Sequence, residues 1–107
     1  MRDPKRFNVY IMTNRPRGVL YVGLTSNLIG RVAQHREGRF PGFTDKYNCR
    51  RLVWFESHDY PDGAIAREKR IKRWRRDWKI DLVEESNPRW LDLSWDILPH
   101  ACSPRLF

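Results

Sequence analysis

Arg31 and His35 stand four residues apart in a stretch, Leu28 to Arg36, whose Leu28 and Val32 have the spacing of a buried helical pair. The two polar side chains border that face and turn a guanidinium and an imidazole to one side. A planar guanidinium holds two phosphate oxygens at once, so the pair points to phosphate chemistry. Glu68 is the third candidate. No other acid lies between Asp62 and Asp77, while Arg67, Lys69, Arg70, Lys72, Arg73, Arg75, Arg76 and Lys79 crowd the same run. Its spacing from Ile65 and Ile71 puts Glu68 at the edge of an apolar stripe, where a carboxylate needs a partner. That partner is either Lys72 at i,i+4 or a cation from solution. Hydrolysing a phosphodiester requires an activated water, a group that absorbs charge on the phosphate, and help for the departing oxygen. Arg31 suits the second task. Glu68 suits the third as a ligand of Mg²⁺, which binds through one or two carboxylates, several waters and the substrate's own phosphate.

Those side chains need elements to position them. Phe7-Asn8-Val9-Tyr10-Ile11-Met12 alternates as a strand, and Val19-Leu20-Tyr21-Val22 resumes the pattern after the turn-forming Thr13 to Gly18. The pair reads as a β-hairpin that brings Tyr10 and Tyr21 onto neighbouring strands. Gly23 ends the second strand, and Thr25, Ser26 or Asn27 can cap a helix running to Arg36. Glu37 to Arg51 is loop by composition, with Phe40, Phe43 and Tyr47 expected to pack. Leu52 to Glu56 is a third strand, apolar at nearly every position and so expected to be central. A second helix starts near Pro61. Its stripe of Ala64, Ile71, Trp74, Trp78 and Leu82 predicts one continuous rod until Asn87-Pro88 stops it. A short final helix around Trp90 to Leu98 is expected to pack Trp90 or Trp95 onto the domain.

At 107 residues the chain suits one domain. The expected boundaries are 1–98, with 99–107 a loose tail. Residues 1–79 hold 19 Lys and Arg against 8 Asp and Glu, while residues 80–107 hold 2 against 5. A basic body with an acidic end attracts polyanions, and nucleic acid is the usual one for a small domain. No apolar run of membrane length and no signal-peptide core occurs, so a cytoplasmic protein without membrane attachment is expected. Cys49 and Cys102 match no metal-binding spacing.

With Val9-Tyr10 at the end of a first motif, Tyr21-Val22-Gly23 as a second and Arg31 on the following helix, the chain resembles the small single-domain members of the GIY-YIG nuclease superfamily. Asn8 and Val22 depart from the literal motifs, and Leu24 stands where many relatives carry lysine. The resemblance implies an α/β domain with a small, mainly antiparallel three-stranded sheet flanked by helices, in the order β-β-α-β-α-α. It places Tyr10 and Tyr21 beside the scissile phosphate, one as general base, with Arg31 on the phosphate and His35 assisting the tyrosine. Glu68 becomes the ligand of one Mg²⁺ or Mn²⁺ ion. An unperturbed phenol is a poor base at neutral pH, so Arg31 and the metal would have to lower its pKa.

The function implied is a metal-dependent DNA endonuclease with little intrinsic sequence specificity, in a setting such as DNA repair. RNA is the alternative substrate, and a protein partner would supply targeting. Arg67, Arg70 and Lys72 on the basic helix are expected to grip nucleic acid, since phosphate contacts position without specifying. Lys46 and Tyr47 resemble a Lys-Tyr pair seen in small relatives and are expected to touch substrate, and Asn87 corresponds to a family asparagine near the end of the module. The competing expectation is a non-catalytic nucleic-acid-binding module on the same scaffold.

Overall fold

Phe7–Thr13 forms strand β1 and Leu20–Thr25 strand β2, joined antiparallel so that Tyr10 faces Gly23 and Met12 faces Tyr21. The computed structural model describes residues 6–37 and 46–97. Asn14 closes the hairpin turn by accepting the Val19 amide at 2.9 Å, and Arg17 there adopts a positive φ of 55°. Its guanidinium then binds both oxygens of Glu84 at 2.9 Å, tying the turn to a distant helix.

Asn27 caps helix α1, Leu28–Arg36, by accepting the Gly30 amide at 3.1 Å, which satisfies one of the donors a helix start leaves open. The third strand, β3 (Arg51–His58), pairs antiparallel with β1 and gives the order β2-β1-β3. The central strand is therefore β1, and the expectation that Leu52 to Glu56 would be central is corrected. The third strand is apolar for another reason: both its faces and part of its edge are covered. Its outward backbone groups meet the segment after residue 86, where Leu52 donates to Asp92 and accepts from Leu93. Asp92 also takes Arg36 at 2.6 Å and Ser94, pinning the end of α1 to the sheet.

Pro61 opens helix α2, Pro61–Arg73, at a position where its missing N–H costs nothing. The expected single rod is in fact two helices. Trp74 and Arg75 are both extended, and α3 runs over Arg76–Ser86. The break folds α3 back so that Ile80, Leu82 and Val83 join the core, and it leaves Trp78, expected inside, 48% exposed. A four-residue α4, Ser94–Ile97, follows.

The sheet has a packed layer on each face. Val9, Ile11, Val22, Val53 and Trp54 meet α2 and α3 through Ala64, Ile71 and Val83, and Trp90 also packs there as expected. Tyr10, Met12 and Leu52 meet α1 through Leu28 and Val32 on the other. The alternation of β1 thus puts Tyr10 on the α1 side, where Arg31 and His35 lie. Residues 38–45 and 98–107, with the expected packing of Phe40 and Phe43, Cys102 and the loose tail, lie outside the described residues.

Candidate active site

Tyr10 is 1% exposed, and its ring leans across β2 over Gly23. A Cβ built on Gly23 would stand 2.5 Å from the Tyr10 hydroxyl oxygen and 2.8 Å from Cε1, so only glycine admits the ring. The phenol is then aimed at α1, where its oxygen lies 3.1 Å from His35 Nε2 in a buried hydrogen bond. Tyr21 completes an aromatic triangle, its centroid 6.2 Å from that of Tyr10 and 5.5 Å from that of His35. His35 is only 2% exposed, held there by the turn that buries Val32.

The electrostatics of this cluster follow from burial. Desolvation pushes the Tyr10 phenol well above its usual range and Tyr21 adds to the rise; Arg31 opposes it and the charge of Glu68 adds a little more. Four of the sequence candidates therefore share one field. Arg31 lowers the phenol as expected, but burial outweighs that one cation. His35 moves oppositely, pushed down to about 4 by desolvation and then by Arg31. At neutral pH it is an uncharged imidazole, and with Nε2 unprotonated it accepts the Tyr10 hydroxyl.

That shift makes stability depend on pH. The fold favours neutral His35, so its contribution is complete above the ordinary value of 6.5 and is lost as pH falls toward about 4. Below that both states are protonated and the loss stops. Urea unfolding should show up to about 3 kcal/mol disappearing across this window, and His35→Gln should flatten it. An unchanged slope in the variant would assign the acid sensitivity elsewhere.

Glu68 is largely covered, its side chain 13% exposed, and Oε2 lies 2.5 Å from Lys72 Nζ. The i,i+4 alternative is thus the arrangement seen. The site is a place for positive charge, and a carboxylate that already holds one cation can exchange it for another. Among the described residues no group of three His, Cys, Asp or Glu could enclose a metal. The residues fit an ion shared between Glu68 and substrate phosphate and do not fit a closed protein cage.

The expected nucleic-acid contacts divide. Arg70 is exposed on α2, and Lys46 is exposed with its ammonium 5.4 Å from the Tyr47 ring centre. Lys72 is occupied with Glu68. Arg67 is held by the fold: it pairs with Glu56 at 3.0 Å and lies over the rings of Trp54 and Trp74. Asn87 is 4% exposed; its amide donates to the carbonyls of Val53 and Leu91 and accepts the Leu91 amide, so it stitches the post-helix turn to β3. Asn87→Ala should lower unfolding free energy by about 2–4 kcal/mol, with DNA affinity changed by less than about 2-fold. Denaturation and binding measured on one preparation check this, and a variant of normal stability would contradict it.

Sequence reasoning missed the Gly23 contact, although the hairpin register that sets Gly23 opposite Tyr10 carries it. It also missed Asp92, for which no local pattern gives a signal.

A family model of the GIY-YIG catalytic domain matches residues 6–81. A UPF0213 protein of Pediococcus pentosaceus is 34% identical over 63% of this chain and 70% of its own. One of Haloquadratum walsbyi is 36% identical over 62% and 74%, and one of Staphylococcus haemolyticus 32% identical over 72% and 93%. No solved structure matches the chain significantly.

Proposed function

The chain belongs to the GIY-YIG catalytic-domain family, and from that nuclease-type premise we propose that it is a metal-dependent endonuclease hydrolysing phosphodiester bonds in DNA. The observation that carries this reading is the buried hydrogen bond from Tyr10 to a neutral His35, in the shared field of Arg31 and Glu68. The phenol need not ionise. Tyr10 takes a proton from the attacking water while passing its own to His35 Nε2, so the base in the balance is the imidazole. Arg31 would hold the non-bridging oxygens as charge builds on phosphorus. Glu68 would hold a Mg²⁺ or Mn²⁺ ion jointly with the substrate phosphate once Lys72 moves aside; when bound, that ion supplies neutralisation at the departing oxygen. Backbone contacts alone leave sequence unread, so site choice falls to DNA structure or a partner protein.

The Glu68–Lys72 pair favours a second reading, a binding module without turnover, since the acid is already neutralised. Supercoiled plasmid separates the two. The enzyme nicks it in Mg²⁺ or Mn²⁺, stops in EDTA, and loses at least about 100-fold in rate as Arg31→Ala or Glu68→Ala with the fold intact. Salt-sensitive binding without a nick across metals and DNA forms overturns the enzyme and leaves the module.

A further inference from the structure

Trp74, at the break between α2 and α3, is shared by two neighbouring clefts of about 400 Å³ each. One is a basic trough lined by Ala66, Lys69, Arg70, Arg73 and Trp74. The first four recur at i, i+3, i+4 and i+7, on the helix face opposite Ala64 and Ile71, and so turn away from the sheet. The other is aromatic with acids in its lining: Arg67, Trp74, Trp78, Asp81, Leu82 and Glu85. Trp78 is 48% exposed, stands edge-on to Trp74 with centroids 6.2 Å apart, and carries the Arg75 guanidinium 5.0 Å from its ring centre. Trp78 thus leaves an aromatic ring exposed beside a cationic trough.

We infer that this α2–α3 surface is a docking site for one unpaired nucleotide, its base against Trp78 and Trp74 and its phosphate on Lys69, Arg70 and Arg73. The charge distribution selects this occupant. A phosphate is drawn to the three cations and repelled from Asp81 and Glu85, which fixes the polarity of the ligand across Trp74. The carboxylates accept hydrogen bonds from exocyclic amines, as acids do with cytosine, while every base offers a face to stack. The trough residues turn away from the sheet, whereas Tyr10 packs with Leu28 and Val32 of α1, so the two sites do not share a lining. The docking site deepens the nuclease reading by naming the substrate's form, a strand with unpaired nucleotides, and it rests on the chain being a nucleic-acid protein and not on turnover.

The test is equilibrium binding in EDTA, which needs no cleavage. Short oligo(dC), its RNA counterpart and a blunt duplex are titrated by anisotropy and tryptophan quenching. Trp78→Ala should weaken the single strands by about 10-fold and the duplex by less than about 2-fold, with Trp78→Phe recovering most of the loss. Equal affinity for oligo(dC) and its RNA counterpart makes the ribose irrelevant, and a difference between them names the natural strand; either supports the site provided Trp78 matters. Asp81→Asn should narrow the preference for oligo(dC) over oligo(dT). Equal weakening of duplex and single strand, no effect of Trp78→Ala, or quenching by an arginine-rich peptide without response to oligonucleotide would each overturn the proposal. A protein that binds single strands through Trp78 yet never nicks plasmid removes the enzyme and leaves this site standing.

Discussion

Tyr10→Phe is expected to reduce plasmid nicking by about 100- to 10,000-fold, the span that a positioned acid–base group commands. The substitution is clean because the ring is 1% exposed and packed, so phenylalanine occupies the same volume and only the oxygen 3.1 Å from His35 Nε2 disappears. Loss of that buried hydrogen bond costs about 1–2 kcal/mol of stability, which a denaturant titration separates from the rate. The pH profile then distinguishes two bases. A free phenolate would make the rate climb through the alkaline range, since burial holds the Tyr10 phenol high. A phenol backed by His35, whose pKa is pushed down to about 4, gives an acid limb near that value and a plateau above it. Both constants belong to the coupled pair. A Tyr10→Phe rate within about 3-fold of the parent would remove the hydroxyl from the chemistry.

Gly23→Ala should be nearly as damaging, from a single methyl on a residue that touches no ligand. The added carbon would meet Tyr10 Oη at 2.5 Å and Cε1 at 2.8 Å, closer than atoms tolerate. Gly23 sits in the β1–β2 ladder opposite Tyr10, so the strand cannot retreat and the ring must swing. Overpacking of this kind costs about 1–3 kcal/mol, and a displaced phenol loses its bond to His35, so nicking should fall by about 100-fold. The double variant Gly23→Ala/Tyr10→Ala gives the check. If the clash is the cause, the methyl costs nothing further once the ring is gone, and the two stability effects are strongly non-additive. Additive losses would place the damage of Gly23→Ala in the strand itself.

Much of this arrangement is legible in the residues. The alternation of β1, the turn formers 13–18 and the capping Asn27 are local signals, and they suffice to bring Tyr10, Tyr21, Arg31 and His35 to one face. The two errors of architecture come from non-local facts. Between Ala64 and Ser86 no Gly or Pro marks the break at Trp74 and Arg75; it follows from fitting the apolar residues of α3 against a sheet only three strands wide. Leu52 to Trp54 reads as a central strand because its composition records burial, and composition does not say whether a strand or an irregular segment provides the cover. Arg67 and Asn87 look like ligand contacts in the chain, yet Glu56 and the Val53 and Leu91 carbonyls engage them through folding alone. The sign of the Tyr10 shift was equally hidden, since one cation is easy to see in a sequence and the depth of a ring is not.

The stretch from Asn87 to Leu93 lies beyond the family match and closes the outer rim of β3 through Leu52 and Val53. A protein cut back to the matched portion would bare those amides and carbonyls beside a hydrophobic strand, the template on which chains stack into insoluble assemblies. Any attempt to excise or graft this domain has to carry its trailing residues along, for they act as its guard against self-association.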